Sequence, residues 1–321
     1  MLKKQDDMKK IKVGISRCLL GEKVRYDARD SHDKYLTDTL GRYFDYIPVC
    51  PEVEYGLPVP REPMRLVGSP ENPRLVTIKT GVDHTEGMLR WAEKRLKELE
   101  EEGLCGFIFK SRSPSSGMQG VTIYSQGNMP DKKGTGIFAG AFMRYFPLVP
   151  VEDEERLNDQ GIRENFIERV FVYRRWRKFL KKGGDYGGLV AFHSDHKYLI
   201  MSHSPKHLRE LGKIVAAPGC LDDERNAVYL ETMMGCLKLT STKKKNTNCL
   251  HHIMGYFKNN LTMDEKQKLL DVIEDYHRGI VPLMVPIILL RHYAKKYDRP
   301  YLRRQVYLNN HPAELMPRNH V

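Results

Sequence analysis

Three short apolar runs, Ile11–Ser16, 46–49 and 105–110, each open directly onto a loop, and segments with helical spacing separate them. Parallel strands need a crossover between neighbours, so this alternation restricts residues 1–155 to an α/β unit with a mostly parallel sheet. In such sheets the reactive loops lie at the carboxyl ends of the strands. Loops 17–21, 51–63 and 111–120 stand in that position.

The remaining elements of this half follow from local pattern. A helix is expected over 34–44, an ordered but irregular proline-rich loop over 51–73, and a strand over 75–79. Met88, Leu89, Ala92, Leu96 and Leu99 recur at helical spacing within 85–102. A helix over 137–145 and a strand over 148–151 close the unit. The acidic segment 152–155 marks a boundary, giving domains 1–155 and 156–321. Beyond it the sequence reads as helices over 161–182, 205–215, 222–239, 248–259, 263–276 and 282–297. Thr262 and Asp264 supply a start signal, and Gly279 a stop. The fold class expected is therefore a Rossmann-like α/β domain followed by an all-α domain.

Charge divides the chain at the same place. The formal net charge is +12, yet residues 1–155 hold 24 Lys+Arg against 24 Asp+Glu. The whole excess lies in the second half, which points to a polyanionic partner or to a basic solubilising surface. The run 280–290 is broken by Pro282 and Pro286 and is too short to span a bilayer, so no membrane association is expected. The charged N-terminus lacks the apolar core of a signal peptide, and Met8 offers a second in-frame start. Six cysteines (18, 50, 105, 220, 236, 249) in 321 residues do not make a disulfide framework. A cytoplasmic protein with buried or metal-bound thiols is expected.

Three motifs carry the chemistry. They are Ser16-Arg-Cys18-Leu-Leu-Gly21 with Arg25-Tyr26-Asp27, then Cys50-Pro51-Glu52-Val-Glu-Tyr-Gly56 with Pro60-Arg61, and Lys110-Ser-Arg-Ser113-Pro-Ser-Ser116-Gly117. Each follows a strand. Cys18 and Cys50 at adjacent strand ends can converge on one metal centre, and a proline after a ligand cysteine fixes its turn. Two buried structural thiols satisfy the same pattern.

Together the motifs resemble the TudS-like thiouracil desulfidase domain over about residues 10–155. The second half resembles the YbgA-type helical domain fused to it in RudS-like proteins. The resemblance implies a [4Fe–4S] cluster held by three cysteines, with one iron left open to polarise the carbon–sulfur bond of a thiolated uracil. Carried over by motif, two ligands are Cys18 and Cys50, and the third position is Ser116. A serine hydroxyl is a hard, poor ligand for an iron–sulfur centre. An introduced Cys→Ser change, a natural variant with a labile cluster, and a natural non-catalytic form all account for it. Cys105 begins the strand at whose far end that loop lies, so it is not a replacement.

Desulfuration by water requires a proton shuttle. Glu52, two residues after a ligand position, is the candidate acid/base, against a surface carboxylate or helix cap. Ser113 would orient substrate or water, against a turn serine before Pro114. Arg25, Asp27 and Arg61 read as loop-ordering groups and Glu54 as solvated. In the basic half, 173–178 interleaves aromatics and cations, and Lys181, Lys182, 243–245, Arg303 and Arg304 add charge, a composition suited to tRNA. Trp176 is nonetheless expected in the core. His193, His196, His203 and His207 raise a metal site as a minor reading, and Cys220, Cys236 and Cys249 read as buried thiols. The function implied is removal of sulfur from thiouracil or from 4-thiouridine in tRNA, impaired by Ser116. A non-catalytic module that recognises thiolated bases is the alternative. A nucleotide-binding α/β protein is disfavoured because no Gly-x-Gly-x-x-Gly follows the first strand.

Overall fold

The structure, a computed structural model, describes residues 10–124, 131–218 and 221–309. It divides into two compact units, Met1–Phe166 and Ile167–Val321, with the division falling inside a helix.

The first unit is built on a four-stranded parallel sheet. Its strands are β1 (Ile11–Ser16), β2 (Phe44–Val49), β5 (Phe107–Phe109) and β8 (Val151–Asp153), in the order β2-β1-β5-β8. β1 pairs with β2 along its whole length, from Ile11 opposite Phe44 to Ser16 opposite Val49. On its other side Gly14 lies opposite Phe107. The buried pattern of β1 is nearly continuous, as expected for a strand covered on both faces.

A second sheet, of which only the strand expected over 75–79 was foreseen in the sequence, has the order β4-β3-β6-β7. Its strands are β3 (Met64–Ser69), β4 (Asn72–Thr77), β6 (Val121–Tyr124) and β7 (Asp131–Gly134). Thus 51–73 is not an irregular loop. It holds a short helix α1 (Pro51–Tyr55), then β3, then the start of β4. The prolines are compatible because Pro51 occupies the first helical turn, where its missing N–H would be unsatisfied anyway. Between the sheets run α2 (Thr85–Glu102) and α3 (Ile137–Tyr145). Met88 of α2 and Ile137 of α3 form one core with Leu66, Leu75, Val121 and Ile123. Phe107, Phe109, Phe138 and Phe142 form an aromatic cluster with ring centroids 4.3–6.3 Å apart. The helix expected over 34–44 is instead a π turn at Tyr35–Thr39 and a 3-10 turn at Leu40–Arg42. Thr37, Thr39 and Gly41 weaken a regular helix, and Phe44 is already paired in β2.

The second unit is helical. It includes part of α4 (Gln160–Leu180), α5 (Tyr186–His203), α6 (Pro205–Ala216) and α7 (Asp222–Leu237). The chain continues through α8 (Lys243–Met254), α9 (Met263–Arg278), α10 (Met284–Lys296) and α11 (Pro300–Arg304). Helix α5 was not anticipated, and α8 begins five residues before the expected 248–259. Thr262 and Glu265 form a reciprocal capping box at the start of α9, and Gly279 ends it at φ +82°. Trp176 is buried and stacks on Tyr229 with centroids 5.5 Å apart and planes at 8°, so it is core and not a platform. No described helix is long and apolar enough to cross a membrane.

Candidate active site at the carboxyl edge of the parallel sheet

Strands β2, β1 and β5 are neighbours and run parallel, so their carboxyl ends lie side by side. Their three loops therefore meet. After β1, Cys18 sits in a 3-10 turn, and its carbonyl accepts the N–H of Ser31 at 3.0 Å. After β2, Cys50 precedes α1, and its N–H donates to Glu54 Oε1 at 2.8 Å. Arg95 holds Glu54 from the other side at 3.0 Å. Glu54 is thus a paired cap for the turn that carries Cys50 and not a solvated surface residue.

After β5, Lys110 Nζ and the Ser111 hydroxyl both donate to Glu154, at 2.5 and 2.7 Å. Ser113 Oγ accepts the N–H groups of Ser115 and Ser116 at 3.3 and 3.1 Å. The loop is also clamped to the start of α3, where Phe138 and Ala139 donate their N–H groups to the Ser115 carbonyl at 2.9 and 3.2 Å.

A cleft of about 480 Å³ opens where these loops meet. Cys18, Cys50, Glu52, Ser113 and Ser116, the five site residues named from sequence, all line it. Arg61 reaches the same wall, 3.5 Å from Glu52 Oε2 and donating to the Val24 carbonyl at 2.9 Å. Arg25 also lines the cleft, and it pairs with Asp27 at 3.6 Å and donates to Ser31 at 2.6 Å, ordering the first loop. Glu52 also accepts from the Cys50 thiol at 3.5 Å and from the Ser115 hydroxyl at 2.5 Å. Ser115 was part of the motif but drew no role from sequence; its partner lies 63 positions away.

Burial pushes the Cys18 thiol up to about 11, against the pull of Lys110. Burial, aided by the Glu52 carboxylate, pushes Cys50 up to about 12. Both are neutral thiols at pH 7, and a bound cation would have to displace their protons. The donor set facing the cleft is two thiols and one hydroxyl. It does not fit a cluster held by three thiolates, because Ser116 offers a hard oxygen whose proton is hard to remove. Among the described residues, no group of three or more His, Cys, Asp and Glu is arranged to hold a metal. Cys105 is no substitute: its N–H pairs with the Lys12 carbonyl at 2.9 Å, before β5 begins.

His193, His196, His203 and His207 are spent on local hydrogen bonds and packing. His193 Nδ1 meets Tyr229 Oη at 3.1 Å, and His207 Nδ1 meets Ser204 Oγ at 2.8 Å. His203 bridges Glu168 and the Leu239 carbonyl at 2.5 and 2.6 Å. Burial pushes His196 down to about 3, so it stays neutral. Cys236 and Cys249 are buried thiols, both pushed up to about 12 by burial. Cys220 lies outside the described residues.

Comparison with known proteins bears on this geometry. Residues 13–154 match the family model described as 2-thiouracil desulfurase. Residues 197–312 match that of a protein of unknown function, DUF1722. The chain is 30% identical over 165 residues to the uncharacterized protein YbgA of Escherichia coli (strain K12), covering 50% of this chain and 94% of YbgA. It is 29% identical over 150 residues to the uncharacterized protein YbbK of Bacillus subtilis (strain 168), covering 45% of this chain and 97% of YbbK. A solved structure of the [4Fe-4S]-dependent thiouracil desulfidase TudS aligns with 32% identity and a TM-score of 0.37. That alignment covers 46% of this chain and 94% of the solved one.

Proposed function

The chain belongs to the family in which a 2-thiouracil desulfurase domain is fused to a YbgA-type DUF1722 domain, and from that membership we propose that its first half is a desulfidase centre for thiolated uracil. The observation that carries the reading is the convergence of Cys18, Cys50, Glu52, Ser113 and Ser116 on one cleft. The reaction is hydrolytic: a thiocarbonyl and water give a carbonyl and hydrogen sulfide, with no net oxidation. Glu52 takes a proton from the attacking water and gives it to the sulfur, then takes the proton of the new hydroxyl as the carbonyl forms and hands it to the departing hydrosulfide. Ser113, its oxygen held by two backbone N–H groups, lines the cleft and bears on that exchange through its contact with Ser115 at 3.0 Å. The family's [4Fe–4S] centre is assigned to Cys18, Cys50 and position 116. Because position 116 is serine, this chain is an impaired form of the enzyme.

Anaerobic purification with iron and sulfide analysis, on this chain and on Ser116→Cys, tests the reading. Ser116→Cys is expected to acquire iron and to release sulfide from 2-thiouracil, while the parent does neither at a comparable level. An iron-loaded Ser116→Cys that releases no sulfide would leave a non-catalytic module for thiolated bases.

The second half we assign to RNA, with 4-thiouridine in tRNA as the substrate it delivers. Support comes from the confinement of the whole +12 charge to residues 156–321. Exposed Lys181, Lys182, Lys243, Lys244, Arg303 and Arg304 are candidate phosphate contacts. Their combined substitution by Ala is expected to weaken tRNA binding and to flatten its salt dependence, since each phosphate contact releases counterions. Binding that ignores salt would sink this assignment.

A further inference from the structure

Acid/base work by Glu52 needs a carboxylate held in one orientation; Arg61 stands 3.5 Å from Oε2, and the side chain that holds Oε1 lies in the third loop. Ser115 is completely buried. Its hydroxyl donates to Glu52 Oε1 at 2.5 Å. A hydroxyl has one proton and two lone pairs. With that proton committed to the carboxylate, the contacts at 3.0 Å to Ser113 Oγ and 3.4 Å to Ser116 Oγ are ones in which Ser115 accepts. Ser113 is left with one useful proton, because its oxygen already accepts two backbone N–H groups. Hydrogen bonds therefore run in one direction, from Ser113 through Ser115 to Glu52.

The backbone beneath Ser115 is held by α3. Its carbonyl is tied to α3 through Phe138 and Ala139. A Cβ on Gly136 would stand 2.6 Å from the Ser115 carbonyl carbon and oxygen, so the two segments are in closest packing. Glu52, by contrast, rides on the one-turn helix α1, where only side-chain contacts fix its carboxylate.

We propose that Ser115 is the positioning residue for Glu52: it pins Oε1 so that Oε2 faces Cys50 Sγ and the cleft, and it couples the carboxylate to Ser113. This rests on the desulfidase reading above. A rigid support behind a reacting group commonly governs rate by roughly 10–100-fold. In the Ser116→Cys background, Ser115→Ala is expected to keep its iron content and KM and to lose kcat by roughly that factor. Ser115→Thr, which keeps the hydroxyl, should recover most of it. Unchanged kcat in Ser115→Ala, or loss of iron with kcat per iron preserved, would overturn the proposal.

A second measurement needs no turnover and uses the chain with Ser116. Hydrogen exchange over residues 50–56 is expected to quicken in Ser115→Ala and in Glu52→Ala, with the double variant no faster than the faster single. Additive effects would overturn the coupling. If the coupling holds while Ser116→Cys releases no sulfide, it is the desulfidase reading that fails.

Discussion

In the Ser116→Cys background, Glu52→Gln is expected to retain its iron and to lose sulfide release by about a hundredfold or more, the scale of a missing general acid/base. The amide oxygen can still accept from Ser115, and the NH2 group, which fills the Oε2 position, gives up the pairing with Arg61, so size and the Ser115 contact survive while proton exchange does not. The Cys50 turn has its own support. The Cys50 N–H is capped by Glu54, which Arg95 holds at 3.0 Å, and neither contact involves Glu52. Glu54→Ala therefore makes the informative contrast: it should lower iron content and leave turnover per iron nearly intact. Iron analysis beside sulfide release on both variants separates the roles. Loss of iron in Glu52→Gln would make Glu52 a scaffold residue.

The legibility of this fold followed the periodicity of its elements. Helix α2 was readable to its ends because Met88, Ala92, Leu96 and Leu99 form one buried stripe on an otherwise charged helix. Strand β1 was readable because an apolar run stops at a turn. Helix α5 was not. Its buried residues include Leu189, Phe192, His196, Tyr198, Leu199 and Ile200, which wrap most of its circumference and leave no stripe. Strand β3 was hidden by Pro63 and Pro70 and the start of β4 by Pro73, which sit at strand ends or edges and read as loop, whereas the strand expected over 75–79 overlaps the rest of β4.

The site divides the same way. Cys18, Cys50, Glu52 and Ser113 were nameable because each lies within a short motif at a strand end, and the strand order then brings the motifs together. Ser115 and the Arg61 contact with Glu52 were not. Their meaning comes from pairings across loops, which no local pattern encodes. Glu54 misled for that reason: its partner Arg95 comes from α2, a separate segment of the chain.

Gly136→Ala is expected to damage fold and site together. Gly136 has φ −60° and ψ 147°, which alanine adopts without strain, so the obstacle is space alone. The new methyl would lie 2.6 Å from Ser115 backbone atoms and 2.8 Å from the Gly117 nitrogen, on either side of Ser116. Neither neighbour is a flexible side chain that can swing away. The loop must lift off α3, at a cost of about 1–3 kcal/mol for overpacking. Gly140→Ala, one turn further along α3, is the matched control. Its methyl would meet the Arg144 guanidinium at 3.3 Å and Thr135 Cγ2 at 3.5 Å, atoms of movable side chains, and alanine favours the helix. The chain has two tryptophans, and Trp91 packs on Phe138 of α3 at 5.4 Å. Urea unfolding followed at Trp91, with Trp176 replaced by Phe, should show Gly136→Ala destabilised and Gly140→Ala unchanged or firmer. In the Ser116→Cys background Gly136→Ala should also lose iron, because the displaced segment carries position 116. A variant that unfolds earlier yet keeps full iron would show that the loop can leave α3 without moving its ligand, and the clamp would then be structural only.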